Sequence, residues 1–410
     1  MKKILRTLTL VSLYLALATP LLYWKEMLFP FITPRVYYFA AIITVGWNAY
    51  AWLIAFDPQY RPHKSRLFWL VSLFFASMLV SAVFGIDINS SFFGNYERMT
   101  GLIYVLYFYL YFVMLTGMLR TEKDWKRYIS ALLFAACIMG GLAIYQYTGL
   151  LGDFFLLTKA WGKAWSLTGN YIYLSTFGLF SAFYCLYLFL KYKYEAKWAY
   201  CTILALSGAM LLLAGTRAGV ASFFIGLLIY LVVSKKFKLL IVLLCLVITL
   251  YALPRPIARY IPQLTNIQSI QYAGTLEQRV TTWKIGLKAA KERPVFGWGH
   301  GNFRIAHDKY MTADVYVKGG FYEQNKDSAH NIYIDALVER GIVGLLVLLA
   351  LLSYVLYTSF KANKLLFAFV LAVAINSAFI FFDISSFLLL MMLFTLVDHE
   401  NNTHLKANTL

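Results

Sequence analysis

The sequence predicts an all-α polytopic membrane protein of about twelve transmembrane helices, with one large helical loop outside the membrane between the ninth and tenth spans. Two observations carry this prediction. The 410-residue chain is 61% hydrophobic and only 14% charged, too little polar surface to clothe a water-soluble domain of this size. Apolar runs long enough to cross a bilayer, about 17 to 25 residues each, alternate with short basic clusters along the chain.

The runs fall at 7–24, 36–56, 67–85, 101–119, 128–147, 171–190, 198–214, 218–234, 239–253, 342–360, 365–382 and 385–398. The first resembles a signal peptide in outline, with Lys2, Lys3 and Arg6 ahead of an apolar stretch and Ala16-Leu17-Ala18 near its end. Pro20 sits badly for cleavage and the charges suit a cytoplasmic end, so a retained first span is expected. With the N-terminus inside, the inner loops carry Arg61, Lys64 and Arg66; Arg120, Lys123, Lys126 and Arg127; Lys191, Lys193 and Lys197; Lys235, Lys236 and Lys238; and Lys361 and Lys364. Each expected cytoplasmic loop is therefore basic, which is the positive-inside pattern. Trp24, Tyr37, Tyr38, Trp69, Tyr128 and Trp198 at span ends suggest an interfacial aromatic belt.

The same pattern accounts for the net charge of +18 without nucleic acid, because the cations are distributed between spans. Cys137, Cys185, Cys201 and Cys245 each lie inside an apolar run, read here as small buried hydrophobes. The chain divides into spans one to nine (1–253), an external loop (254–341), spans ten to twelve (342–398) and a cytoplasmic tail (399–410). Loops of that length are usually functional. This one opens with Pro254-Arg255-Pro256 and contains an expected amphipathic helix, Leu276 to Lys291, whose apolar stripe is Leu276, Val280, Trp283, Leu287 and Ala290. A turn-rich stretch, Arg293 to Phe303, follows. A second helix is expected from Asp327 or Ser328 to Arg340, stopped by Gly341.

Four cationic or basic groups stand out on the external side. Arg217 interrupts a long apolar stretch within Gly215-Thr216-Arg217-Ala218-Gly219, where a charge is costly and marks a site with an anionic partner; the alternative is a boundary arginine snorkelling to the interface. The flanking glycines would let another group approach the backbone. His330, followed by Asn331, falls in the first turn of the expected second helix, where free N–H groups favour an anion and keep an imidazole neutral. It reads either as a general base beside a phosphate or as a histidine that caps or packs the helix start. Arg279, at the edge of the first helix's stripe, suits bidentate phosphate binding or a solvated helix face. Arg98 is a further phosphate contact, with Glu97 as its partner if it is only an ion pair. His300 and His307 lack metal-site spacing, so no metal and no cofactor are expected. Together Arg217, Arg279, Arg98 and His330 describe a diphosphate site with a base beside it, fitted to a lipid diphosphate.

These residues lie in motifs that resemble the O-antigen ligase family, whose superfamily includes O-antigen polymerases and other membrane oligosaccharyltransferases. The matching pieces are Gly215 to Gly219, Glu277-Gln278-Arg279-Val280-Thr281-Thr282-Trp283, the glycine-rich run from Pro294 to Phe303, and Ala329-His330-Asn331-Ile332-Tyr333 leading into Glu339-Arg340-Gly341-Ile342-Val343-Gly344. The specific part runs from Arg217 to Gly344. The resemblance implies metal-independent, inverting transfer of a glycan from undecaprenyl diphosphate on the periplasmic face of a bacterial inner membrane. It gives Arg217, Arg279 and His330 the catalytic positions, with Arg98 and Asn331 as further substrate contacts. The implied acceptor is lipid A core oligosaccharide for a ligase, a second lipid-linked repeat for a polymerase, or a protein hydroxyl; the ligase is preferred. A twelve-span transporter is the alternative of a different class, but transporters of this size show two similar halves about a central cytoplasmic loop, whereas here the long loop is external and late.

Overall fold

The structure, a computed structural model, describes residues 1–149, 162–192, 196–242, 272–311 and 326–408. Its helices, in chain order, are α1 (Lys2–Ala16), α2 (Thr33–Phe56), α3 (Arg66–Phe84), α4 (Ile88–Phe93), α5 (Leu102–Met118), α6 (Glu122–Thr148), α7 (Tyr171–Lys191), α8 (Lys197–Leu213), α9 (Arg217–Val233), α10 (Tyr272–Glu292), α11 (Phe303–Tyr310), α12 (Ile332–Ala362), α13 (Lys364–Ser377) and α14 (Ile384–Asn408). Five of them, α2, α3, α6, α7 and α12, are long and apolar enough to cross a membrane, and α5, α8, α9 and α13 are apolar but shorter. Of the expected ninth span only residues 237–242 are seen, as helix; its remainder, Cys245 and the Pro254-Arg255-Pro256 opening lie outside the described residues.

The helices pack in a bundle in which α1 lies on α2, α7 on α8, α12 on α3 and α9 on α13. Its interior is aromatic, with Phe39, Tyr111, Phe112, Phe177, Phe180, Phe183 and Phe369 all buried. Its outside exposes Trp52, Val83, Phe134 and Leu212, a ring of apolar side chains suited to lipid rather than water. Of the expected aromatic belt, Trp24, Tyr37, Trp69 and Trp198 are exposed, but Tyr128 is fully buried. Its hydroxyl shares a 2.8 Å hydrogen bond with that of Tyr111 and donates to the Leu13 carbonyl at 2.9 Å, tying α1 into the core. Among the cysteines Cys185 is buried, whereas Cys201 is exposed on α8.

Several boundaries differ from the sequence expectation for local reasons. Helix α1 stops at Ala16 instead of continuing to residue 24, because Pro20 and its neighbours form a 3₁₀ turn, Thr19–Leu21. Helix α14 runs through the expected tail to Asn408. The amphipathic loop helix is present as α10; of its expected stripe Ala290 is buried and the partly buried Trp283 packs against the same core, but Leu287 is exposed and the face turns toward the buried Thr282, Ile285, Gly286 and Ala289. Gly286 sets that rotation. A Cβ there would stand 3.1 Å from the Ile334 methyl, so the bare backbone lets α10 settle on α12.

Beyond the bundle, α10, α11 and the start of α12 share a small core of Ala289, Ala290, Trp298, Phe303, Ala306, Ala329 and Val338. The glycine-rich run is the clamp that fixes this unit to the bundle. Trp298 and Gly299 donate to the Val338 and Glu339 carbonyls at 2.9 Å each, and Ile342 donates to the Pro294 carbonyl at 2.7 Å. These bonds replace helical ones at Gly341, where φ is 63° and α12 kinks. Ser81 of α3 closes the arrangement by donating to the Glu339 carbonyl at 2.6 Å.

Candidate active site

The segment from Lys326 to Asn331 crosses the end of the bundle where α12 begins. The expected helix start at Asp327 or Ser328 is not observed: α12 starts at Ile332, capped by Asn331, whose Oδ1 accepts from the Tyr333 and Ile334 amides at 3.0 and 3.3 Å. His330 therefore precedes the cap instead of occupying the first turn. Its φ is 52°, left-handed for a residue with a Cβ, a conformation that costs about 1–2 kcal/mol and has to be held by its surroundings. The His330 amide donates to Ser328 Oγ at 2.9 Å, and the Ala329 carbonyl accepts from Trp283 Nε1 of α10 at 2.9 Å. Trp283 follows Arg279 by one helical turn, so the tryptophan that fixes the turn shares a face of α10 with the arginine.

The His330 ring lies edge-on to Phe381, centroids 4.9 Å apart, and its Nδ1 is buried without a hydrogen-bond partner among the described residues. Burial first, then the positive charges of Arg279, Lys326 and Arg98, lowers its pKa from 6.5 to about 4, against the opposing pull of Asp327. The imidazole is thus neutral throughout the physiological range.

Arg98 also meets Phe381, its guanidinium 3.9 Å from the ring centroid. Its fork is engaged by Asp327, Nε to Oδ2 at 2.6 Å and Nη2 to Oδ1 at 3.1 Å, while Nη1 donates to the Tyr173 hydroxyl at 2.7 Å. Asp327, 229 residues away in sequence, takes the place expected for Glu97. Burial works against the charge on Arg98, but Tyr173 and Asp327 outweigh it and raise the pKa. Beside this pair opens a cavity of about 150 Å³, lined by Arg98, Asp327, Ser328, Asp335, Glu339 and Arg340 among others.

Arg279 is half-buried, and burial lowers its pKa while Tyr171 at the head of α7 opposes the shift. Tyr171 also carries Lys163, whose Nζ lies 4.3 Å from the ring centroid. Lys163 in turn is depressed by burial and then by the charge of Arg217. Arg217 opens α9, and the Gly215-Thr216 turn before it is fastened to α7 through a hydrogen bond from Thr216 Oγ1 to Ser175 Oγ. The group that approaches Gly219 is a protein side chain, Ser175, whose Oγ would lie 2.0 Å from an added Cβ. Electrostatic influence thus runs from Arg217 through Lys163 to the Tyr171 face, then to Arg279 and His330, with Arg98 and Asp327 beyond Phe381.

Sequence reasoning missed Lys163, Lys326, Asp327 and Phe381, which come from short segments without a motif of their own. The histidines set aside as metal ligands have structural partners. His300 Nε2 meets the Thr100 carbonyl at 3.0 Å, and the fully buried His307 has Nδ1 3.3 Å from Asp308. A cluster of cations around a neutral, partly buried imidazole can hold an anionic group and accept a proton beside it.

A helical bundle with several span-length apolar helices carries such a site at one end. Residues 202–349 match the O-antigen ligase family, and the matched stretch extends from α8 into α12 and contains Arg217, Arg279 and His330. No curated protein matches the chain.

Proposed function

We propose that the protein transfers a glycan from undecaprenyl diphosphate to an acceptor hydroxyl at the periplasmic face of a bacterial inner membrane, as an O-antigen ligase acting on lipid A core oligosaccharide. The observation that carries this reading is His330, its imidazole neutral and partly buried under the positive charge of Arg279 inside the matched stretch. Arg217 and Arg279 hold the donor diphosphate, and Lys163 adds charge to the same patch. The acceptor oxygen forms its bond to the anomeric carbon as the bond from that carbon to the diphosphate breaks. His330 takes the hydroxyl proton, and the arginines stabilise the negative charge collecting on the leaving diphosphate. A single displacement inverts the anomeric centre and requires no metal.

Arg98 and Asn331 act less directly. Arg98 is committed to Asp327 and Tyr173, and Asn331 to the α12 amides, so both keep the His330 turn and the substrate wall in place. Joining two lipid-linked repeats, or transferring to a protein hydroxyl, would use the same groups with a different acceptor.

Expression in a ligase-deficient Gram-negative host with a compatible glycan pathway tests the reading. The wild type is expected to restore long-chain lipopolysaccharide on gels, while His330→Ala, Arg217→Ala and Arg279→Ala, at equal membrane levels, do not. Extension of single-repeat material in a polymerase-deficient host, without ligation, would transfer the assignment to a polymerase. Variants that behave as wild type in whichever assay works would remove the proposed site.

A further inference from the structure

Asp335 lies one turn inside α12, yet both of its carboxylate oxygens point back out of the helix. Oδ1 accepts from the Ala329 amide at 2.6 Å and Oδ2 from the Ser328 hydroxyl at 2.7 Å. Ser328 Oγ is also the acceptor for the His330 amide at 2.9 Å. The residue is not needed as a helix cap, because Asn331 already satisfies the Tyr333 and Ile334 amides. Its two bonds are spent on the two residues immediately before His330, the one position in this segment with a positive φ. Trp283 holds the same turn from α10 through the Ala329 carbonyl, but only the Asp335–Ser328 pair reaches the His330 backbone itself.

We propose that Asp335 is a positioning residue, acting through Ser328 to keep His330 in its left-handed turn with the imidazole turned in against Phe381. This rests on His330 being the base of the proposed reaction. Without the carboxylate, Ser328 Oγ loses its acceptor and the His330 amide its fixed partner, so the turn relaxes toward ordinary negative φ and the ring swings outward. A displacement of about 1 Å at a reacting group is enough for a rate loss on the order of 100-fold.

The groups facing the imidazole are Arg279 from α10, Lys326 and Asp327 from its own segment, Arg98 from the turn before α5, and Phe381 before α14. Burial is the largest influence on its protonation, so a ring that swings out titrates closer to 6.5. That separates positioning from simple structural support: a merely structural residue lowers the amount of active protein without moving the titration of what remains.

The test uses the full-length protein in membranes and three variants. Asp335→Leu removes both acceptors. Ser328→Ala removes the link alone. Asp335→Asn preserves the connection, since its amide oxygen accepts from Ala329 and its amide nitrogen donates to Ser328 Oγ. For glycan transfer, Asp335→Leu and Ser328→Ala are expected to lower kcat about 100-fold with KM within about twofold, and Asp335→Asn to recover most of the loss. In parallel, modification of His330 by diethyl pyrocarbonate, followed by peptide mass spectrometry across pH, needs no substrate. Its midpoint is expected near 4 in the wild type and Asp335→Asn, and closer to 6.5 in the other two. An unmoved midpoint in Asp335→Leu and Ser328→Ala overturns the positioning role, whatever the transfer assay gives. A moved midpoint in a protein that transfers no glycan keeps the positioning role and overturns the enzymatic reading instead.

Discussion

In the proposed reaction His330 combines a low proton affinity with the acceptance of a proton, and the bound donor would resolve the tension. In the free protein Arg279, Lys326 and Arg98 add to burial in holding the pKa near 4. A diphosphate seated on Arg279 would offset that charge and raise the pKa, so the base gains strength only once the donor is in place. The profile of kcat/KM reports the free enzyme and that of kcat the donor complex. Since the base works deprotonated, kcat/KM should stay flat down to about pH 4 and fall below it, whereas kcat should begin to fall at a higher pH. Coincident acid limbs near 6.5 would show a solvated His330 and contradict the site. Arg98 and Asp327 carry a second residue-scale expectation. Breaking a largely buried bidentate pair costs about 3–5 kcal/mol, so Arg98→Ala and Asp327→Ala should each lower Tm, and the double variant should be no worse than the more damaging single one. Additive losses would mean that the pair is not coupled. Arg217, Arg279 and His330, to which the proposed function assigns the chemistry, were legible in the sequence as candidates, being charges or an imidazole out of keeping with their surroundings. Asp327 and Lys163 were not, because their significance depends on contacts with segments far away in the chain.

At the scale of elements, the glycine-rich run, read as a turn-rich stretch, and Gly341, read as the stop of a helix, fold together as a joint. Gly341 adopts a φ of 63°, and a Cβ on it would lie 2.2 Å from the Val295 carbonyl oxygen; one on Gly297 would lie 2.4 Å from the Glu339 carbonyl. Neither neighbour can retreat, because each is backbone held by the clamp. Gly341→Ala and Gly297→Ala are therefore expected to reduce stability by more than the ~1 kcal/mol of an ordinary glycine substitution, and to loosen α10–α11 from α12. Limited proteolysis should cut both variants faster than wild type within residues 293–303, and unchanged cleavage would refute the clamp. Helical periodicity located α10 within a few residues and placed Trp283 and Ala290 against its core, but turned Leu287 inward where Gly286 faces α12, because an inward-facing glycine carries no hydrophobic signal. The start of α12 was placed too early for a similar reason: Asp327, Ser328 and Asn331 are all cap-type residues, and the tertiary bonds of Asp327 to Arg98 and Ser328 to Asp335 leave the cap to Asn331.

For the whole molecule, the apolar exterior and the five span-length helices establish a multi-pass character, while sidedness rests on the basic loops. Single cysteines introduced at Lys64 and Asn95 in a cysteine-free background test it. An impermeant maleimide applied outside should label Asn95→Cys and reach Lys64→Cys only after the membrane is opened; the reverse pattern would invert the protein. Multi-pass character was legible as alternation of apolar and basic segments, with twelve spans expected beside five span-length helices among the described residues, but how the segment carrying α10 and α11 meets the bundle was not, since that contact is built from backbone bonds at glycines. The most direct test of the central claim is glycan transfer in proteoliposomes containing only purified protein, undecaprenyl diphosphate-linked glycan and lipid A core acceptor, with chelator present. Release of undecaprenyl diphosphate matched one for one by glycosylated acceptor, lost in His330→Ala by about 10²- to 10⁴-fold and in Arg279→Ala, is the predicted result. Transfer that persists in His330→Ala at the wild-type rate would contradict it.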